Sequence, residues 1–116
     1  MQGKRLDRVN QLIKEEISML LQRELKDPRL GFVTVTEVET SKDLRSAKIF
    51  VSVLGDDAQW KASMAALDSA RGFVRNWLRH HLDLRVTPEL DFRPDHSLEH
   101  AARIQSILKQ VRASGS

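Results

Sequence analysis

Residues 57–84 read DAQWKASMAALDSARGFVRNWLRHHLDL, the longest run with helical periodicity in the chain. Trp60, Met64 and Leu67 recur at helical spacing, and Val74 and Leu78 do so further on. At about 100° per residue, a straight helix would set Arg71 inside the stripe of Trp60, Met64, Leu67 and Leu78. A guanidinium buried there without a partner is too costly, and the next residue, Gly72, is a poor helix former. Ser69-Ala70-Arg71-Gly72 therefore reads as a bend between two helices. The bend lifts Arg71 out of the core and starts a second helix at about Gly72. That helix has its own apolar face of Phe73, Val74, Trp77, Leu78 and Leu82, with Arg75 and Arg79 on its other side. Free N–H groups at a helix start beside arginines suit a phosphate. The alternative is a helical hairpin with a solvated basic face, since a single glycine in a helix is a weak signal.

Working outward, Pro88 prevents continuation, and Glu89 to Arg93 alternates as a short third strand. After Pro94 and Asp95, residues Leu98 to Val111 carry a last amphipathic helix, and Ala113 to Ser116 are expected to fray. Upstream, Asp56 or Asp57 can cap the helical pair. Arg45 to Leu54 sets Ala47, Ile49, Val51 and Val53 on one face and Ser46, Lys48, Phe50 and Ser52 on the other. Phe32 to Val38 is β-branched and aromatic, and the short polar link Thr40 to Leu44 makes the two strands antiparallel. Leu6 to Leu25 is a long amphipathic helix, ended by Pro28 in the charged turn Lys26 to Gly31. The order is helix, strand, strand, bent helical pair, strand, helix. It implies an α+β fold, with helices covering one face of a three-stranded sheet. One domain over residues 1–116, with an ordered core at about 5–112, is expected.

At 41% apolar and 30% charged residues, the 116-residue chain reads as globular rather than disordered. The net charge of +3 is too mild to show nucleic-acid binding by itself. Zero cysteines exclude disulfides, zinc–thiolate sites and thiol catalysis. No apolar run approaches a membrane span, and Met1-Gln2-Gly3-Lys4-Arg5 lacks the core of a signal peptide, so a cytoplasmic protein is expected. His96 and His100 lie one turn apart around Glu99, as on a two-ligand metal face, but no further ligand has a convergent position. His80 and His81 are adjacent and diverge. No glycine-rich nucleotide loop is present, and no Ser–His–Asp order can be argued. No enzyme, metal or cofactor is expected.

With its bend between two helices, this order resembles a type II KH domain, a family that places a Gly-x-x-Gly loop there to clamp a nucleic-acid backbone. Here Ala70-x-Gly72 replaces that loop, which resembles the bacterial ribosome-binding factor A family. Lys26-Asp27-Pro28-Arg29-Leu30-Gly31, Ser41 to Lys48, Leu84 to Leu90 and Asp95-x-Ser97-Leu98 agree in order and spacing, and together cover nearly the whole chain. The resemblance implies a monomeric factor that binds immature small ribosomal subunits through their ribosomal RNA. It implies help in late maturation, including 5′-end processing, importance in the cold, and release with an assembly GTPase.

The candidate RNA-binding residues are Arg71, Gly72, Arg75, Arg79, Lys48 and Arg45. Arg71, Arg75 and Arg79 form one i, i+4, i+8 stripe that can follow phosphates, and Gly72 is expected to be a conformational requirement of the bend. Arg45 and Lys48, at the second strand, would extend the surface. Lys4, Arg5 and Arg8 read as a solvated cluster, with RNA contact as the lesser alternative, and Arg29 is comparable. Phe50 is expected to pack beneath a terminal helix, the alternative being a base-stacking platform. Trp60 and Trp77 are expected in the core. The rival functions are a general KH-type RNA module, a metal-dependent hydrolase using His96, Glu99 and His100, and a protein adaptor using the first helix.

Overall fold

The computed structural model describes residues 2–115, and the side chains of residues 4–112. The elements are α1 Gln2–Arg23, β1 Phe32–Thr40, β2 Ser46–Leu54, α2 Asp57–Ser69, α3 Arg71–His81, β3 Glu89–Pro94 and α4 Ser97–Gly115. The expected order holds. The boundaries shift: α1 starts four residues before Leu6 and stops short of Leu25, which packs against the core from the following turn. The backbone of α4 continues past Val111 to Gly115, so of the residues expected to fray only Ser116 lies outside the described residues, as Met1 does at the other end. No helix among the described residues is long and apolar enough to cross a membrane.

The sheet order is β1-β2-β3, with β1 antiparallel to β2 and β3 parallel to it. The parallel pairing follows from the helical crossover α2–α3, which returns the chain to the end at which β2 began. A bulge in β1 between Val35 and Glu37 leaves Thr36 without a partner in the ladder. It resets the alternation, so that Val35 and Val38, three residues apart, both enter the core. They join Ala47, Ile49, Val51, Leu90 and Phe92 from the sheet, and Ile13, Ile17, Leu20, Leu67, Val74 and Leu78 from the helices. Burying each of the larger of these side chains is worth roughly 1.5–3 kcal/mol.

Asp56 caps α2 by accepting the Gln59 N–H at 2.9 Å. Ala70 alone makes the bend: at φ −89°, ψ 0° its N–H reaches the Ala66 and Leu67 carbonyls, and its own carbonyl accepts Val74 N. α3 therefore starts at Arg71, one residue before the expected Gly72. Two indoles tie helices together. Trp77 Nε1 donates to Glu16 of α1 at 2.9 Å, and Trp60 Nε1 donates to Glu99 of α4 at 2.8 Å. The buried Ser63 hydroxyl accepts Gly31 N–H at 3.1 Å and so fastens the Lys26–Gly31 turn to α2.

The Thr36 hydroxyl freed by the bulge donates to Asp95 at 2.6 Å, and Asp95 also accepts the Ser97 N–H that opens α4. These bonds, Thr36 first, hold the Asp95 carboxyl below the usual carboxylate range. Its folded pKa is thus lower than its unfolded one, near 3.9. The contribution is complete above that unfolded value and is lost as pH falls through the folded value. Asp95→Ala should cost about 1 kcal/mol at neutral pH. In urea unfolding series from pH 6 to pH 2, the gap to wild type should close at the acid end; a gap independent of pH would exclude the carboxylate as its source.

Candidate nucleic-acid interface

α3 starts without a side-chain cap and has no acid in its first turn. Its first N–H groups are therefore not taken up by a side chain, one residue beyond the carbonyl end of α2. Arg71, lifted out of the core as expected, is exposed and among the described residues makes polar contacts with Asp68 alone, with Nε 3.3 Å from its carbonyl and 3.2 Å from Oδ1. An exposed pair of this kind is worth little, so Asp68 competes weakly with a phosphate. Arg79 is exposed and makes no hydrogen bond or ion pair among the described residues.

Arg75 differs from its neighbours. Its side chain is 33% exposed, Nε donates to the Pro88 carbonyl at 3.2 Å, and Nη2 donates to the Thr87 carbonyl at 3.0 Å, with Glu89 Oε1 3.6 Å away. The expected uniform stripe is therefore split. Arg71 and Arg79 flank a middle residue that holds the approach to β3. Gly72 also departs from expectation. Its φ is not positive, and a Cβ there would meet nothing within 4 Å. The break in the helix falls at Ala70, and Gly72 leaves clear space on the outer surface. Phe73, expected in the apolar face, is 51% exposed, because Val74 and Leu78 already fill the side toward the sheet. Trp77 is half-buried, with its ring stacked on His81 at 3.8 Å.

Arg45 precedes β2 and shares a shallow depression with Arg75, Val86, Thr87 and Glu89. Lys48 is not brought to α3. It alternates with the buried Ala47 and Ile49, so it lies on the uncovered face of the sheet, in register with Glu39 and Asp91. Phe50 is half-buried on that same face, and no terminal helix covers it: the described α4 side chains from Ser97 to Arg112 are all exposed. Arg29 is occupied by Asp27 at 2.8 Å, which holds that carboxyl below its ordinary range. Glu99 accepts the Trp60 indole and lies 3.1 Å from His96, whose ring packs on Trp60 at 4.1 Å. These residues dock the first turn of α4. Reasoning from sequence missed Lys42 and Arg85, which sit in separate loops and meet Arg5 only in the fold.

The arrangement has relatives. The family model for Ribosome-binding factor A matches residues 5–108. A ribosome-binding factor A of Halothermothrix orenii is 48% identical over 97% of this chain and 92% of its own length. The crystal structure of ribosome-binding factor A from Thermus thermophilus superposes with a TM-score of 0.69 at 26% identity, over 77% of this chain and 94% of that one. A homology model of the Thermus thermophilus factor, fitted into the cryo-EM map of a 30S–RbfA complex, gives 0.63 at 27% identity, over 74% and 90%. The fold is the expected KH-like α+β arrangement.

Two substitutions separate structure from contact. Arg75→Ala frees two carbonyls and should cost about 1–2 kcal/mol, read as a lowered melting temperature; an unchanged melting curve would show that the loop holds itself. Gly72→Ala fills open space with a better helix former and should stabilise by up to about 1 kcal/mol. A destabilised Gly72→Ala would restore the glycine as a conformational requirement.

Proposed function

The chain belongs to the ribosome-binding factor A family, and from that premise we propose that it holds small-subunit ribosomal RNA along the outer side of the α2–α3 bend. The observation that carries this is the pair Arg71 and Arg79, both exposed, Arg71 held only by its exposed pair with Asp68 among the described residues, near a glycine with open space above it. Two phosphates of one strand can be met by the arginines, with the uncapped start of α3 at the Arg71 end. Contacts of this kind position the RNA and read no sequence, as suits a factor that recognises an assembly state.

In this reading the protein is a non-catalytic, monomeric, cytoplasmic factor. It binds free immature small subunits, assists late maturation including 5′-end processing of the ribosomal RNA, matters most in the cold, and leaves with an assembly GTPase. Arg45, at the depression beside Arg75, extends the surface. Lys48, on the far face of the sheet, lies apart from this surface.

Arg71→Glu with Arg79→Glu should weaken co-sedimentation with small subunits at least tenfold and leave the melting temperature nearly unchanged. Each lost phosphate contact should reduce the slope of log affinity against log salt by about 0.7–0.9. An excess of unrelated structured RNA should not displace the wild-type protein. Displacement would favour a general KH-type RNA module, and wild-type affinity and slope in the double variant would move the RNA off α3.

A further inference from the structure

A pocket of about 280 Å³ lies where the start of α1 meets the loops before β2 and β3. We infer that it is a site for one unpaired nucleotide of an RNA strand, with the base on its apolar floor and the phosphate on its cationic rim. The inference rests on the RNA-binding reading but uses none of the α3 residues. Leu6 and Val9 of α1, Leu44 of the β1–β2 loop and Val86 of the α3–β3 loop form the floor. Arg5, Lys42 and Arg85 form the rim, one cation from each of three separate segments. All three are exposed, and none makes a hydrogen bond or ion pair among the described residues.

Asp43 is the one acid among the described residues that line the pocket, and it is already engaged. Its carboxylate accepts the Ser41 hydroxyl at 2.6 Å and Arg45 N at 3.0 Å. These bonds help to fix the loop in which Leu44 stands at φ 62°. A bulky residue in the left-handed region is uncommon and persists where its surroundings over-determine it, often at a binding site. Here it places a leucine in the pocket wall. The space is near the lower end of small-ligand pockets, roughly 300 Å³. At about 280 Å³ it matches a single nucleotide in size. Unpaired RNA is recognised by splaying bases onto side chains, arginine planes included. A bare anion patch would not need the apolar floor.

The test titrates the full chain, followed by amide NMR, with a single-stranded hexaribonucleotide, adenosine monophosphate and inorganic phosphate in turn. The hexaribonucleotide should shift the amides of Leu44 and Val86 and bind at least tenfold more tightly than adenosine monophosphate. Adenosine monophosphate should in turn bind at least tenfold more tightly than phosphate. Arg5→Ala, Lys42→Ala and Arg85→Ala together should weaken the hexaribonucleotide at least tenfold, with an unchanged melting temperature. Shifts confined to α3, or wild-type affinity in the triple variant, would overturn the site. Equal binding of phosphate and adenosine monophosphate would reduce it to an anion patch, and adenosine monophosphate matching the hexaribonucleotide would make it a free-nucleotide site. Wild-type protein that fills the pocket yet does not pellet with small subunits would refute the ribosomal reading and leave this one standing.

Discussion

A guanidinium cannot be buried, unpaired, in the apolar stripe that Trp60, Leu67 and Leu78 would share on one straight helix. Ala70 resolves this. With ψ shifted to 0° at this one residue, it lets α2 bury Leu67 and α3 bury Val74 and Leu78 against one sheet, while Arg71 stays in solvent. Much else follows. The crossover returns the chain in register for a parallel β3, and the face of α3 turned from the sheet becomes the basic surface. The same displacement that protects the core leaves Arg71 and an uncapped helix start at the surface.

The three arginines of α3 divide the work. Arg75 is half-buried and satisfies two carbonyls that a loop would otherwise leave to water, so its contribution is to folding. Arg71 and Arg79 contribute little to folding and are therefore available for binding. The acids show a similar division. Asp95 and Asp56 hold helix starts, whereas Asp43 ties down the loop that shapes the α1 pocket. The bulge at Thr36 acts at a distance: it keeps Val35 and Val38 in the core, and it frees the hydroxyl that anchors the turn into α4.

The sequence made the bend legible, because Arg71 falls where no cation can be buried. The strands were legible from their β-branched runs and, in β2, from strict alternation. The bulge was not, since three-residue spacing of Val35 and Val38 looks the same as an irregular strand end. Arg75 escaped for a different reason. Nothing in an i, i+4, i+8 pattern tells that a loop thirteen residues later will place its carbonyls against the middle arginine. Phe73 was misassigned because an apolar face wider than the sheet can cover leaves its margin in water. The pocket of Arg5, Lys42 and Arg85 was invisible for want of any local pattern, as its cations come from three segments.

The most direct measurement is a cryo-EM structure of the chain bound to an immature small subunit, at a resolution that shows side chains. Ribosomal RNA phosphates should lie within hydrogen-bonding distance of the Arg71 and Arg79 guanidinium groups, with Arg75 still on the Thr87 and Pro88 carbonyls. A complex in which the outer side of α3 faces solvent or a ribosomal protein, with the RNA held elsewhere, would contradict the assignment of that surface to RNA.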